Sequence, residues 1–487
     1  MMPHKAKRII IVTFDGLRPD LITERTMPNL FKHGATEATW FKNSRSVFPT
    51  VTRVASSSFA TGSYPCQHGI VNNEFNVKKV DGTEGFELFQ THSLDWLDAA
   101  PKYLRAPLLT SASLGECLAA NGKSYYTVHG GSSGAAYLAN NEALRNGHWT
   151  YTLHGAENSL TPEAVNDVTK LFGKIPSEPA PKTNNVERLT DIFIEHVLKT
   201  VSPDVALLWL TEPDSSFHTH GLGSAESEQA LKACDNQFAR IVEWIESDES
   251  KDETLLFVLS DHGHISVDKH LDLSSLLAEV GVNASTIDAP DVDVVFTQGR
   301  SGELRLTDSG KPKAQVIVNK LNETPEIEYV FSNSLADVEG AFELEDSFSE
   351  HSRSADLFYV CSSSDENNNH GVAGVGATTC NALAGSGQHG GLSTYEVNSV
   401  LMLSGMNVMK GTEILTPSGL VDVAPTVLSL LGIKGLEGSN GRVLEEAFDD
   451  GYQHLGKQTS VVRKELKGLK SSLTIDWMND TPYLGLL

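Results

Sequence analysis

The sequence predicts an α/β fold in which a mostly parallel central sheet is covered by helices on both faces. Three segments carry that expectation: RIIIVTFDG (8–16), DVALLWLTEPD (204–214) and TLLFVLSDHGH (254–264). Each is a continuous apolar run that stops abruptly at an acidic residue. Runs of this kind suit strands buried on both faces, as parallel strands between helical layers are. LTDIFIEHVLKTV (189–201) and SAESEQALKACDNQFARIVEWIES (224–247) space apolar residues by three and four, the period of amphipathic helices. Ligands of open α/β sheets bind beyond the carboxyl ends of the strands. Three strands that each end in an acid therefore predict a site at that edge.

The remaining elements fall into order around these. FPTVTRVASSSFATG predicts an extended piece turning into a helix near Thr52, and SYYTV (124–128) a further strand. DVDVVFTQGRSGELRLTD reads as a hairpin, and QVIVNKLNETPEIEYVF as a short helix and another strand. CSSSDENNNHGVAGVGATTCNALAGSGQHGG (361–391) is expected to be mostly loop, VDVAPTVLSLLGI (421–433) an amphipathic helix, and SNGRVLEEAF a return to the core. The expected organisation is a catalytic core of 1–264 and 386–450. An inserted cap subdomain with an active-site loop spans 265–385, and a C-terminal extension packed on the core spans 451–487.

Composition narrows the partners. The 487 residues carry a formal net charge of −25, which provides no positive field for a nucleic-acid polymer or an anionic membrane surface. The charge says little about a small anionic substrate, because bound cations reverse the field inside a pocket. The five cysteines form no CxxC pair and leave one over in any disulfide scheme, which suits a reducing compartment. The apolar run after MMPHKAKR ends at Asp15 without a small-residue cleavage site, and no segment has the ~18 apolar residues that span a bilayer. A cytoplasmic protein is expected.

Asp15, Asp261 and His262 lie at strand ends, and Asp214 and His218 are four residues apart, so one helical turn places them on one face. His389 sits in GSGQHGG, where glycines permit close backbone approach. Three carboxylates and three imidazoles without a thiolate suit zinc, with manganese or iron as alternatives. Six ligands are too many for one four-coordinate ion and about right for two. Thr52, at a helix start, gains from the positive end of the helix dipole and is a candidate nucleophile. In the bland alternative, Thr50 or Thr52 only caps the helix.

FDGLRPD, FPTVTR, ATGSYPCQHGIVNN, EPDSSFHTHG, SDHGH and QHGGLS occur in that order from Asp15 to His389. This set resembles the alkaline phosphatase superfamily, in its nucleotide pyrophosphatase/phosphodiesterase and phosphonoacetate hydrolase branches. The resemblance implies an alkaline-phosphatase-like core with one zinc on Asp214, His218 and His389 and a second on Asp15, Thr52, Asp261 and His262. It also implies Thr52 as nucleophile and Asn73 as a hydrogen-bond donor to a nonbridging phosphoryl oxygen. The implied activity is hydrolysis of a phosphodiester or nucleotide-type diphosphate through a phosphothreonine intermediate. The alternatives are a phosphonate C–P hydrolase and a phosphate monoesterase.

The chain departs from these relatives in places. PKYLRAPLL and HGGLSTYEV resemble the phosphonoacetate hydrolases, but the lysine pair that would hold a substrate carboxylate is absent, and the chain reads HGGSSGAAYL (129–138). Ser132, Ser133 and His129 stand there, with Tyr125, Tyr126 and Tyr137 either packing the core or walling an organic leaving group. Arg53, beside the nucleophile, either clamps a phosphoryl oxygen or second phosphate or turns away to pair with an acid. His220, His264 and His370 are expected as neighbours of the ligands or as surface residues rather than as ligands. Glu212 and Ser215 are expected to support Asp214 and the histidines, and His68 and Gly69 to position the Asn73 loop. The partner is a small phosphorylated or phosphonate substrate, and the oligomeric state is left open.

Overall fold

Eight strands form the central sheet: β1 Arg8–Phe14, β2 Ala38–Phe41, β3 Tyr125–His129, β4 Trp149–Thr152, β5 Val205–Leu210, β6 Thr254–Leu259, β7 Leu401–Gly405 and β8 Thr412–Ile414. The computed structural model describes residues 5–153, 161–174, 177–448, 459–465 and 471–485. Strand order is β8-β2-β7-β6-β1-β5-β3-β4. Neighbours are parallel except where β7 runs against both β6 and β2. The expected mostly parallel α/β architecture is therefore present.

The period of two along β1 explains its double burial. Ile10, Val12 and Phe14 enter one core, with residues of Thr183–Asp191, Ile192–Val201 and Ala225–Ser247. Ile9 and Ile11 enter the other, with residues of Thr52–Thr61, Leu114–Ala120 and Val423–Leu430. The helix expected over 189–201 is present, but Ile192–Val201 is wound as a π-helix. Thr13 pairs with both Trp209 and Leu259, so β1, β5 and β6 end level. Their acidic continuations emerge together at one edge.

A six-stranded sheet built from residues 284–361 packs on helices Leu273–Ala278 and Ala314–Asn322 around its own core. It contains the expected hairpin, Val294–Phe296 with Ser301–Leu306, and the strand Ile327–Ser332 after the 314–322 helix. The segment 361–391 differs from expectation. Ser363–Asn367 and Ala373–Thr378 pair as a hairpin, and Ala373–Thr378 also pairs with Ile265–His270, which holds Gly387–Gln388 on its other side. Composition hid these strands because the outer one is mostly exposed and the inner one buries mainly small side chains. Thr459–Glu465, Ser472–Met478 and Thr481–Leu484 form a three-stranded sheet. Arg45 Nε donates to Leu484 O at 2.9 Å and Tyr483 Oη to Asp422 Oδ2 at 2.9 Å, tying its last strand down. All five cysteines are free thiols. Among the described residues no helix is long and apolar enough to cross a membrane.

One buried ion pair joins the six-stranded sheet to the chain after His389. Arg300 and Glu396 are both fully buried and meet through Nε–Oε1 at 3.2 Å and Nη2–Oε2 at 2.9 Å. Glu396 also accepts the Gly391 N–H at 2.7 Å and the Ser393 hydroxyl at 2.8 Å. Gly390 has φ +125°, a conformation that L side chains rarely adopt. Removing one member of such a pair leaves an uncompensated buried charge. Arg300→Met should lower the urea-unfolding midpoint by the equivalent of about 3–5 kcal/mol, with partial recovery when Glu396→Gln is added. An unchanged midpoint for the single variant would show that the pair does not hold this junction.

Candidate active site

Asp15 follows β1, and Asp261 and His262 follow β6, where the level strand ends bring them together. His262 Nε2 lies 3.2 Å from Asp261 Oδ2, 3.6 Å from Asp15 Oδ1 and 3.2 Å from Thr52 Oγ1. Asp261 Oδ1 accepts the backbone N–H groups of Gly16 and His262, each at 3.0 Å. Asp15 Oδ2 accepts the Trp209 indole N–H at 3.1 Å. The other oxygens, Asp15 Oδ1 and Asp261 Oδ2, are buried without a hydrogen-bond partner. His262 Nδ1 faces Gly263 O at 3.1 Å, which assigns its proton there and aims the Nε2 lone pair at the two carboxylates. Acceptor faces acceptor, an arrangement that a cation resolves.

The second cluster forms on the helix Asp214–His220, where the four-residue spacing puts His218 Nε2 3.3 Å from Asp214 Oδ1. His389 Nε2 reaches the same oxygen at 3.7 Å, and His264 Nε2 at 2.8 Å. His218 Nδ1 donates to Gly387 O at 2.9 Å and His389 Nδ1 to Thr50 O at 2.8 Å, so both direct Nε2 inward. Two ligand atoms on one tetrahedral zinc with bonds of about 2.0 Å lie about 3.3 Å apart. The 3.2–3.7 Å separations suit shared ligands, whereas the 2.8 Å contact of His264 is a hydrogen bond that holds Asp214. The His262 and His389 rings stack at 3.7 Å, joining the two clusters.

Electrostatics agree with this geometry. Burial, reinforced by the charges of Asp261 and Asp214, pushes Asp15 well above the usual carboxylate range. Burial also raises Asp261, against the opposing pull of His262. Burial would raise Asp214 too, but His218 and His264 hold it well below. Burial takes His264 down to about 4, and burial with the surrounding imidazoles takes His389 well below its ordinary value. Without added positive charge, the cluster cannot keep three carboxylates ionised.

Thr52 is the first residue of the helix Thr52–Thr61, and the N-cap position is Val51. Its hydroxyl therefore is not the cap and faces His262 instead. Asn73 Oδ1 accepts the Arg53 N–H at 3.0 Å, which leaves the Asn73 amide nitrogen as a donor beside Thr52. Arg53 Nε donates to Thr91 Oγ1 at 2.9 Å, and Thr91 Oγ1 in turn donates to Asn73 O. His68 Nδ1 accepts the Ile70 N–H at 3.1 Å and so shapes the turn leading to Asn73.

The remaining named residues lie apart from the two clusters. His220 Nε2 donates to Ala180 O at 2.9 Å, and His370 is exposed. Glu212 accepts the N–H groups of Lys182 and Ser216, and Lys182 Nζ donates to Ser215 Oγ, so both side chains are engaged away from the Asp214 carboxylate. Tyr125 is core, Tyr126 stacks on Trp149, Tyr137 donates to Glu142, and Ser132 caps the helix Ser133–Ala139. Trp209 is the site residue that sequence reasoning missed. It reads as one more apolar residue of a buried strand, and nothing local marks its N–H as a partner for Asp15.

The family model described as type I phosphodiesterase / nucleotide pyrophosphatase matches residues 9–364, more than half of the chain. Ectonucleotide pyrophosphatase/phosphodiesterase family member 1 of Rattus norvegicus is 26% identical over 273 residues, 55% of this chain and 24% of that protein. Bis(5'-adenosyl)-triphosphatase enpp4 of Xenopus laevis is 36% identical over 99 residues, 20% of this chain and 21% of that protein. The matches thus span about a quarter of the length of these curated relatives. Murine ectonucleotide pyrophosphatase / phosphodiesterase 5 superimposes with a TM-score of 0.63 at 13% identity, covering 91% of this chain and 100% of that one. Alkaline phosphatase PafA gives 0.62 at 17% identity, covering 92% and 100%. These likenesses show an alkaline-phosphatase-like fold. With the family match running from β1 through the six-stranded sheet, the chain belongs to the type I phosphodiesterase / nucleotide pyrophosphatase family.

Proposed function

We propose that this chain is a two-zinc hydrolase that cleaves phosphodiester or nucleotide-type diphosphate bonds through a phosphothreonine intermediate. Its basis is the Thr52 hydroxyl at a helix N-terminus, 3.2 Å from His262 Nε2 and beside buried carboxylate oxygens that lack a donor. The activities for which the relatives are named, phosphodiesterase, nucleotide pyrophosphatase and bis(5'-adenosyl)-triphosphatase, support the same chemistry. Asp15, Thr52, Asp261 and His262 would hold one ion, and Asp214, His218 and His389 the other. The mixed nitrogen and oxygen donors suit zinc, with manganese or iron as alternatives. When bound, the two ions neutralise phosphoryl charge and acidify hydroxyl groups in contact with them.

Thr52 Oγ1 loses its proton and forms a bond to phosphorus while the bond from phosphorus to the leaving oxygen breaks in line. The leaving group departs with its electron pair and takes up a proton. The Asn73 amide donates to a nonbridging oxygen, and the helix dipole at Thr52 favours the anionic group. Water then attacks the phosphothreonine, which releases phosphate or its ester and restores the Thr52 hydroxyl. Arg53 has no ion-pair partner among the described residues, unlike the buried Arg45, Arg300 and Arg442. Its guanidinium is thereby left to meet a second charged group of the substrate, which favours a diphosphate over a simple diester. The missing lysine pair and the HGGSSGAAYL sequence after β3 weigh against a phosphonate bearing an aliphatic carboxylate. Five free cysteines favour the reducing cytoplasm.

Metal analysis of the purified protein should find two zinc equivalents per chain, and none would remove the two-metal reading. Thr52→Ala should lose on the order of 10⁴–10⁶ in kcat, and Asn73→Ala only about 10²–10³. Full activity in Thr52→Ala would withdraw the nucleophile. Bis-p-nitrophenyl phosphate should be cleaved faster than p-nitrophenyl phosphate. The reverse order would make the protein a monoesterase, and release of phosphate from phosphonoacetate would make it a C–P hydrolase.

A further inference from the structure

We infer that Trp209 is a positioning residue of the metal centre: its indole N–H tethers one oxygen of Asp15 so that the other is presented to the ion. The inference rests on the two-metal reading proposed above. Asp15 Oδ2 accepts the Trp209 Nε1–H at 3.1 Å, while Oδ1 is buried, without a hydrogen-bond partner, and faces His262 Nε2 at 3.6 Å. Asp261 shows the same division by other means, with two backbone N–H groups on Oδ1 and none on Oδ2. Both carboxylates of this cluster therefore have one oxygen held by the protein and one left for a cation.

Indole suits that task. It is a donor only, carries no charge and cannot itself bind the ion, so it orients the carboxylate without competing for it. Trp209 is fixed in turn. It is 1% exposed on β5, opposite Thr13, two residues before Asp15 on β1. The His129 ring stacks on it at 5.0 Å and 19°, and the Phe59 ring meets it edge-on at 6.1 Å. Phe59 belongs to the helix that begins at Thr52. One side chain thus touches a metal ligand, the nucleophile's helix and the end of β3.

Trp209→Phe keeps the aromatic packing and removes the donor. Chelator competition against the full-length protein should show one of its two zinc equivalents weakened about 10–100-fold and the other unchanged. An independent readout is 19F NMR of protein labelled with 5-fluorotryptophan. One of the six tryptophan resonances, missing in Trp209→Phe and displaced in Asp15→Asn, should shift as zinc is added. Two equivalents bound by Trp209→Phe with wild-type affinity would overturn the positioning role while leaving the two-metal reading intact. A Trp209 resonance, assigned through Asp15→Asn if Trp209→Phe fails to fold, that ignores zinc would do the same. Absence of zinc binding by the wild type would overturn both.

Discussion

Three carboxylates and four imidazoles converge where water is largely excluded, and the unpartnered oxygens of Asp15 and Asp261 have no donor to accept from. Removing an ionised carboxylate from water costs several kcal/mol even after relaxation, and neighbouring carboxylates repel one another as well. A fold that gathers them must supply compensating charge, and the unpartnered oxygens of Asp15 and Asp261 leave a place for a cation. The directions at Asp15, Asp261 and His389 follow from that constraint, whereas Asp214, which burial alone would raise, is held low by His218 and His264. Asp15 and Asp261 are driven toward protonation, and His389 toward neutrality, the forms that a bound ion would replace with ligation.

The framework meets the constraint with two kinds of support. Asp15, Asp261 and His262 leave adjacent strands at the same level, so their proximity follows from parallel register and the spacing of about 4.8 Å between strands. Asp214 and His218 need only one turn of helix. His389 is different, because it arrives from a segment more than a hundred residues beyond β6. Its place depends on the small sheet that carries Gly387–Gln388, on its own bond to Thr50 O and on the Arg300–Glu396 pair behind Gly391. The six-stranded sheet thus matters to the candidate metal centre although none of its residues belongs to either cluster.

The contrast between the whole chain and its site is electrostatic. A net charge of −25 disfavours anionic polymers, yet two bound cations, a helix N-terminus and Arg53 would make one small region attractive to a phosphate. Charge at that scale is set by a few oriented groups within several ångströms, and distant surface acids are screened.

Much of the fold and the site was legible because it is locally encoded. Double-sided apolar runs ending in acids marked β1, β5 and β6, and the spacing of Asp214 and His218 fitted one helical turn. The 363–378 hairpin was not legible, because small and hydroxylated residues on a solvated edge look like loop. Equal spacing rules could not separate His264, which bonds Asp214, from His220, which bonds a distant carbonyl. The sequence by itself determined which side chains stand at strand ends and helix faces, since these depend on neighbours a few residues away. Only the tertiary structure decided which oxygen of each carboxylate is tethered, that Trp209 holds Asp15 across 194 residues and how His389 reaches its partners. Those contacts rest on register and packing between remote segments, and a hydrogen bond is made or lost over a few tenths of an ångström.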